Sequence, residues 1–261
     1  MSTEEFIISL FDRVDDRMRD VRKHPQASLY PSELVTLALL YALKGVGPRA
    51  FYRWLVRDYR PLFPHLPERT RLFRLFVAHP EWAARFLADP TILGVADTYG
   101  IEFIHPRRER RSSQQQGKKG RSNHRWIVGG KLGVVLNQWG LVAAWDCATA
   151  NVHDSSFQPM VAQFAEEMIV LTDRGFHARA GDPPNMKVCA PRTWNVRMVV
   201  ATVFSMVTTV CDAKGMRHRV WAAFAAHLAF LMAVFDVLVQ WHGLKPDKEG
   251  RIHLSIAEFS L

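Results

Sequence analysis

Apolar residues in the first ninety positions recur at three- and four-residue steps; beyond position 90 they gather into short β-branched runs. Ile7, Leu10, Phe11, Val14 and Met18 make one helical face. A second helix begins on Pro31 and stops near Gly45, with proline in front and glycine behind. Pro48 opens a third, in which Arg49, Arg53 and Arg57 share one face while Phe51, Trp54 and Leu55 turn elsewhere. Two more helices are expected at 68–77 and 81–88, and Pro90 marks a boundary.

The strand-like runs are 92–104, 127–137 and 141–149, the last two joined by a tight turn at Gln138-Trp139-Gly140, and together they predict an antiparallel meander. A helix capped by Asp154 should follow through Phe164. The continuous apolar run 168–173 reads as a buried central strand, 187–190 as a short one, and a long helix should start at Arg192. The tail 251–259 alternates like an edge strand. Strands interleaved with helices predict a mixed α/β layer fold behind an all-helical N-terminal region.

Composition narrows the class. Hydrophobic residues make up 48% and charged residues 23% of 261, as in a globular protein. A net charge of +9 favours a polyanionic partner. The charge is concentrated: Arg107, Arg108, Arg110, Arg111, Lys118, Lys119, Arg121 and Arg125 face only Glu109, in a segment rich in Ser, Gln and Gly that reads as a loop over 105–126. A helix pair with a short glycine turn and an arginine stripe also fits a helix-turn-helix DNA reader, although solvated stripes are common. Three isolated cysteines suggest neither disulfides nor a zinc site, and the acidic start is unlike a signal peptide, so the cytoplasm is the expected compartment. The apolar stretch 220–239 contains His227 and Asp236 and reads as a core helix rather than a membrane span.

The candidate chemistry lies in two acids. Asp97 and Asp173 each close an apolar strand-like run, and acids at neighbouring strand ends can converge on a divalent cation that removes their mutual repulsion. Taken singly, each reads rather as a turn-initiating aspartate after a strand. The helix after Asp173 carries an apolar stripe from Val196 to Val210, with Arg197, Ala201, Thr208 and Asp212 on its other face.

The segments VADTYGIEF, NVHDSS, VLTDRGFH and WNVRMVVATVFSM, in that order, resemble bacterial insertion-sequence transposases of the DDE type, in the group with a Tyr-x2-Arg-x3-Glu signature. The resemblance spans about 91–241. It implies an RNase H-like catalytic core there, which leaves the helical region over 1–90 as the DNA-binding part and 242–261 as a C-terminal tail. It further implies two Mg²⁺ ions, with Mn²⁺ as substitute, and metal-dependent cleavage and strand transfer at terminal inverted repeats. The partners implied are element-end and target DNA duplexes and a second copy of the chain, with no membrane, in the bacterial nucleoid.

Carried over by position, Asp97 and Asp173 are the first two acids, and Ala201 stands where the glutamate ligand would be. Trp194 replaces the signature tyrosine; Arg197 matches the arginine; Lys131 matches a basic residue near DNA. Thr208 stands where relatives carry lysine, for which Lys214 could substitute. With Ala201 the chain reads as a catalytic-glutamate variant, by engineering or by natural decay, that binds DNA without cutting it. Two other readings stay open: a non-catalytic DNA-binding protein derived from a transposase, and a metal-dependent nuclease.

Overall fold

A computed structural model of the protein describes residues 1–111, 115–122, 125–190, 197–216, 218, 220–244, 248, 254–259 and 261, and excludes the side chains of Arg197 and Met198. Four helices lead: α1 (Thr3–Met18), α2 (Pro31–Lys44), α3 (Pro48–Asp58) and α4 (Arg69–Ala78). Ser2 and Glu5 close α1 with a capping box, and the apolar stripe anticipated there is its buried face. Gly45 ends α2 at φ +62°, and a Cβ at that position would lie 2.8 Å from the Cys211 carbonyl oxygen. Only glycine satisfies both the left-handed cap and the close approach. The 81–88 segment forms a 3-10 turn (Pro80–Phe86) rather than an α-helix.

The sheet has six strands: β1 (Leu93–Ile104), β2 (Lys118–Ser122), β3 (Arg125–Asn137), β4 (Val142–Thr149), β5 (Ile169–Thr172) and β6 (Met186–Val188). Its order is β2-β3-β1-β5-β6, with β4 also paired to β3. The β1, β3 and β4 pairings are antiparallel, as the meander required, and β5 and β6 join in parallel. The fold is therefore a mixed α/β one, a curled mixed sheet flanked by helices.

Several elements depart from expectation. Part of the basic segment is a strand, because β2 hydrogen-bonds to the first half of β3 while β4 takes the second half. Asp97 lies inside β1 rather than at its end, since β1 continues through seven more residues along β3. After β4 the chain makes a 3-10 turn (Asp154–Phe157) capped by the His153 ring, then the short α5 (Gln158–Ala162). The start of the expected edge strand, 251–253, lies outside the described residues; further on the tail forms a 3-10 turn (Ala257–Phe259), where Phe259 packs against Trp241 and Phe6.

Two long helices complete the chain, α6 (Arg197–Cys211) and α7 (Trp221–His242). α7 is long and apolar enough to cross a membrane, yet 78% of its apolar window is buried inside the protein. Residues of α1, α2, β1, β3, α6 and α7 share one apolar core, so Pro90 marks a change of element type and not a break in packing. Asp236 of α7 is fully buried there; its carboxylate accepts Val142 N at 2.8 Å and Ala88 N at 3.0 Å. Burial pushes its pKa well above the usual carboxylate range, partly offset by those two amides.

Candidate catalytic site

The register of the one parallel step beside β1 decides where the acids sit. Val95 pairs with Leu171, and two residues beyond each lie Asp97 and Asp173. Asp173 is still extended, at φ −84° and ψ 176°, so the two chains stay alongside one another to that level. Side chains alternate along a strand, so the acids stand on the same face as Val95 and Leu171, on chains about 5 Å apart. That face carries the core shared with α6 and α7. Asp97 Oδ1 accepts Thr98 N at 2.7 Å, and Asp173 Oδ1 accepts Gly175 N at 2.8 Å.

α6 crosses this face alongside β1. Near its start, Val199 lies 3.1 Å from the position of a Cβ on Gly140, in the turn after the Gly94–Asn137 pair. Further on, Phe204 stacks on Tyr99 at 4.7 Å between centroids, and Thr208 Oγ1 is 3.2 Å from Tyr99 Oη. The helix therefore runs in the same direction as β1. Ala201 shares the i, i+3, i+7 stripe with Phe204 and Thr208, and it falls between the levels of Gly94 and Tyr99, the stretch that holds Asp97. Ala201 is exposed, so its Cβ is not packed in hydrocarbon. Thr208 faces the sheet instead of solvent, held by the tyrosine hydroxyl.

A third acid, Asp154, arrives from below the sheet. Its carboxylate takes Lys131 Nζ at 2.7 Å and Thr98 Oγ1 at 2.9 Å. A Cβ on Gly175 would lie 2.8 Å from Asp154 Oδ2 and 2.9 Å from Asp173 Oδ1, so the two carboxylates meet over that glycine. Asp154 thus braces the loop after β5 rather than capping a helix. Residue patterns passed over this role, although a signal was present: Lys131 interrupts an apolar strand and is 7% exposed, so it needed an acid partner.

The basic residues divide by commitment. Lys131 is buried and bound to Asp154 and to the Val152 carbonyl at 2.6 Å. Lys214 is exposed, with its ammonium 5.6 Å from the ring of Tyr99, two residues past Asp97 on β1. Arg107 and Arg108 lie in a 3-10 turn (Pro106–Arg108); Arg110 adopts φ +61° and its N–H donates to Gln115 Oε1 at 2.6 Å. Lys118, Lys119, Arg121 and Arg125 project from the β2–β3 hairpin beside an exposed Trp126, with Lys119 Nζ 5.5 Å from the indole centroid. Gly100 N donates to Ser122 Oγ at 3.2 Å, which brings the hairpin tip to β1 three residues past Asp97. On α3, Arg49, Arg53 and Arg57 are exposed as expected, and Arg57 pairs with Asp58 at 2.6 Å. Trp194 lies outside the described residues, as does the side chain of Arg197.

Among the described residues no group of three His, Cys, Asp or Glu side chains is placed to hold a metal ion. Burial pushes the thiols of Cys147 and Cys211 up to about 12, so neither offers a thiolate nucleophile. The chain matches no protein-family model and no curated protein.

Proposed function

We propose that this chain is a DNA transposase of the DDE type, with an RNase H-like core, whose missing third acid leaves it able to bind DNA but barely able to cut it. One observation carries the reading: in the parallel register of β1 and β5, Val95 pairs with Leu171, two residues before Asp97 and Asp173, and α6 packs along β1. The ordered motifs around those residues support it, and so does the basic hairpin whose tip reaches β1.

The hard oxygen donors suit Mg²⁺ or Mn²⁺. Asp97 and Asp173 would hold the ions, and Ala201 offers no third carboxylate. Bound ions would activate a nucleophilic oxygen and stabilise the leaving oxygen of an in-line displacement. The chain's own residues do the positioning. Lys131 and Thr98 fix Asp154, which sets the turn that orients Asp173. Lys214 and the β2–β3 hairpin hold phosphates with little sequence preference, giving salt-sensitive binding. The bend of 118° between α2 and α3 and the arginine face of α3 suit a duplex reader for inverted repeats. Two element ends call for a dimer, working in the bacterial nucleoid.

Ala201 itself favours a second reading, a transposase-derived protein that binds DNA without catalysis. Ala201→Glu separates the two. The enzyme reading expects Mg²⁺-dependent cutting of a duplex that carries the repeats flanking the reading frame, and strand-transfer products from a pre-cleaved end. Retained binding with no cutting by the variant supports the non-catalytic reading; cutting without joining supports a nuclease.

A further inference from the structure

Outside the carboxylate face, a cavity of about 480 Å³ lies between α4 and α7, floored by Tyr41 of α2. It exists because α7 presents Ala223 and Ala226 to α4 where larger residues would close the gap. Such a volume suits a small organic molecule. Its inner surface is aromatic, from Tyr41, Phe73, Phe76 and Phe230. Two polar features break that surface. Arg69 and Arg74 of α4 border it, one half-buried and one exposed, and neither has a carboxylate partner among the described residues. On the α7 side, His218 Nε2 and His227 Nδ1 are 2.8 Å apart, and the enclosed His227 Nε2 has no hydrogen-bond partner among the described residues.

We infer that this cavity binds a hydroxylated aromatic acid, with its ring system among the four aromatics, its carboxylate at Arg69 and Arg74, and its hydroxyl at the histidine pair. The chemistry of the wall selects this class. A flat apolar body gains from aromatic surroundings, and a carboxylate is the anion that two arginines at a rim hold best. Both rings of the pair are kept neutral by burial, which lowers the pKa of His218 to about 4 and of His227 to about 3. A hydroxyl both donates and accepts, so it can bond to either tautomer of a neutral imidazole. The inference does not rest on the transposase reading.

The test uses 6-hydroxy-2-naphthoate and 2-naphthoate as probes, titrated calorimetrically into the full-length protein. Saturable one-to-one binding is expected, about fivefold tighter for the hydroxylated probe. Ala226→Trp should fill the space and weaken both probes at least tenfold. Arg69→Gln with Arg74→Gln should weaken both about equally, and His218→Phe should erase only the hydroxyl's advantage. The surface arginine variant keeps the test open should Ala226→Trp misfold. Absence of saturable binding, or binding untouched by the arginine changes, overturns the inference.

Discussion

Asp173 and Asp236 are both aspartates set against the apolar core, yet their surroundings differ in kind. Asp236 is enclosed on α7, and its two oxygens are taken by the amides of Val142 and Ala88, which tie the helix to the sheet edge. Asp173 is half-buried, holds the turn at Gly175 with one oxygen, and stands in parallel register with a second acid, Asp97. An acid enclosed with its own backbone partners is part of the architecture. Asp97 and Asp173 lie two residues past the last paired positions of β1 and β5, on one face of the sheet.

The largest expected effect lies on the carboxylate side. In an Ala201→Glu background with Mg²⁺, Asp97→Asn or Asp173→Asn should each lower DNA cleavage by about a thousandfold or more, equivalent to about 4 kcal/mol of barrier. Thermal unfolding should hardly change. Cleavage that survives either change would remove these residues from the mechanism.

Asp236 should behave in the reverse way. Asp236→Ala opens a small cavity and strands the Val142 amide, at an expected cost of about 3 kcal/mol in urea unfolding. DNA affinity of the folded fraction should be unaltered. A stability within about 0.5 kcal/mol of the parent would mean that the helix-to-sheet tie is not structural.

How far the residues alone disclosed this arrangement depends on range. Local rules were enough for the capped helices, because Pro31 and Gly45 act within a turn or two of themselves. They were also enough for the β1–β3–β4 meander, whose strands follow one another with alternating burial. Range defeated the rest. β2 lies in a polar segment whose strand character comes from a free half-edge on β3. Asp154 looked like a helix cap because its true partner, Lys131, is 23 residues away in sequence. The likeness of motifs, not periodicity, singled out position 201, since an alanine in a helix has no pattern of its own.

Acidity should expose the same contrast through two slopes of opposite sign. The folded pKa of Asp236 lies well above 3.8, so its contribution is complete below 3.8 and is lost as pH rises through the folded value. His218 and His227 have folded values of about 4 and about 3 against an ordinary 6.5, so theirs is complete above 6.5 and is lost as pH falls towards those values. From pH 6.5 to 5, the stability advantage of the parent over a His218→Gln, His227→Gln variant should shrink by about 3 kcal/mol. Urea unfolding at both pH values measures this, and a constant difference would show that the rings are not held neutral.

The smallest effect separates committed from uncommitted cations in one helix. Arg53 and Arg57 lie on the same exposed face of α3, but Arg57 holds both oxygens of Asp58 and keeps that carboxyl below its usual range. Releasing a phosphate's counterion requires an arginine that is not already neutralised. Arg53→Gln should therefore lower duplex affinity about fivefold at moderate salt and reduce the slope of log K against log salt by about one. Arg57→Gln should change the slope by less than half as much, because the variant also frees the Asp58 carboxylate near the same phosphates. Fluorescence anisotropy over a salt series distinguishes them, and equal slopes for the two variants would mean that α3 does not meet the DNA backbone through this face.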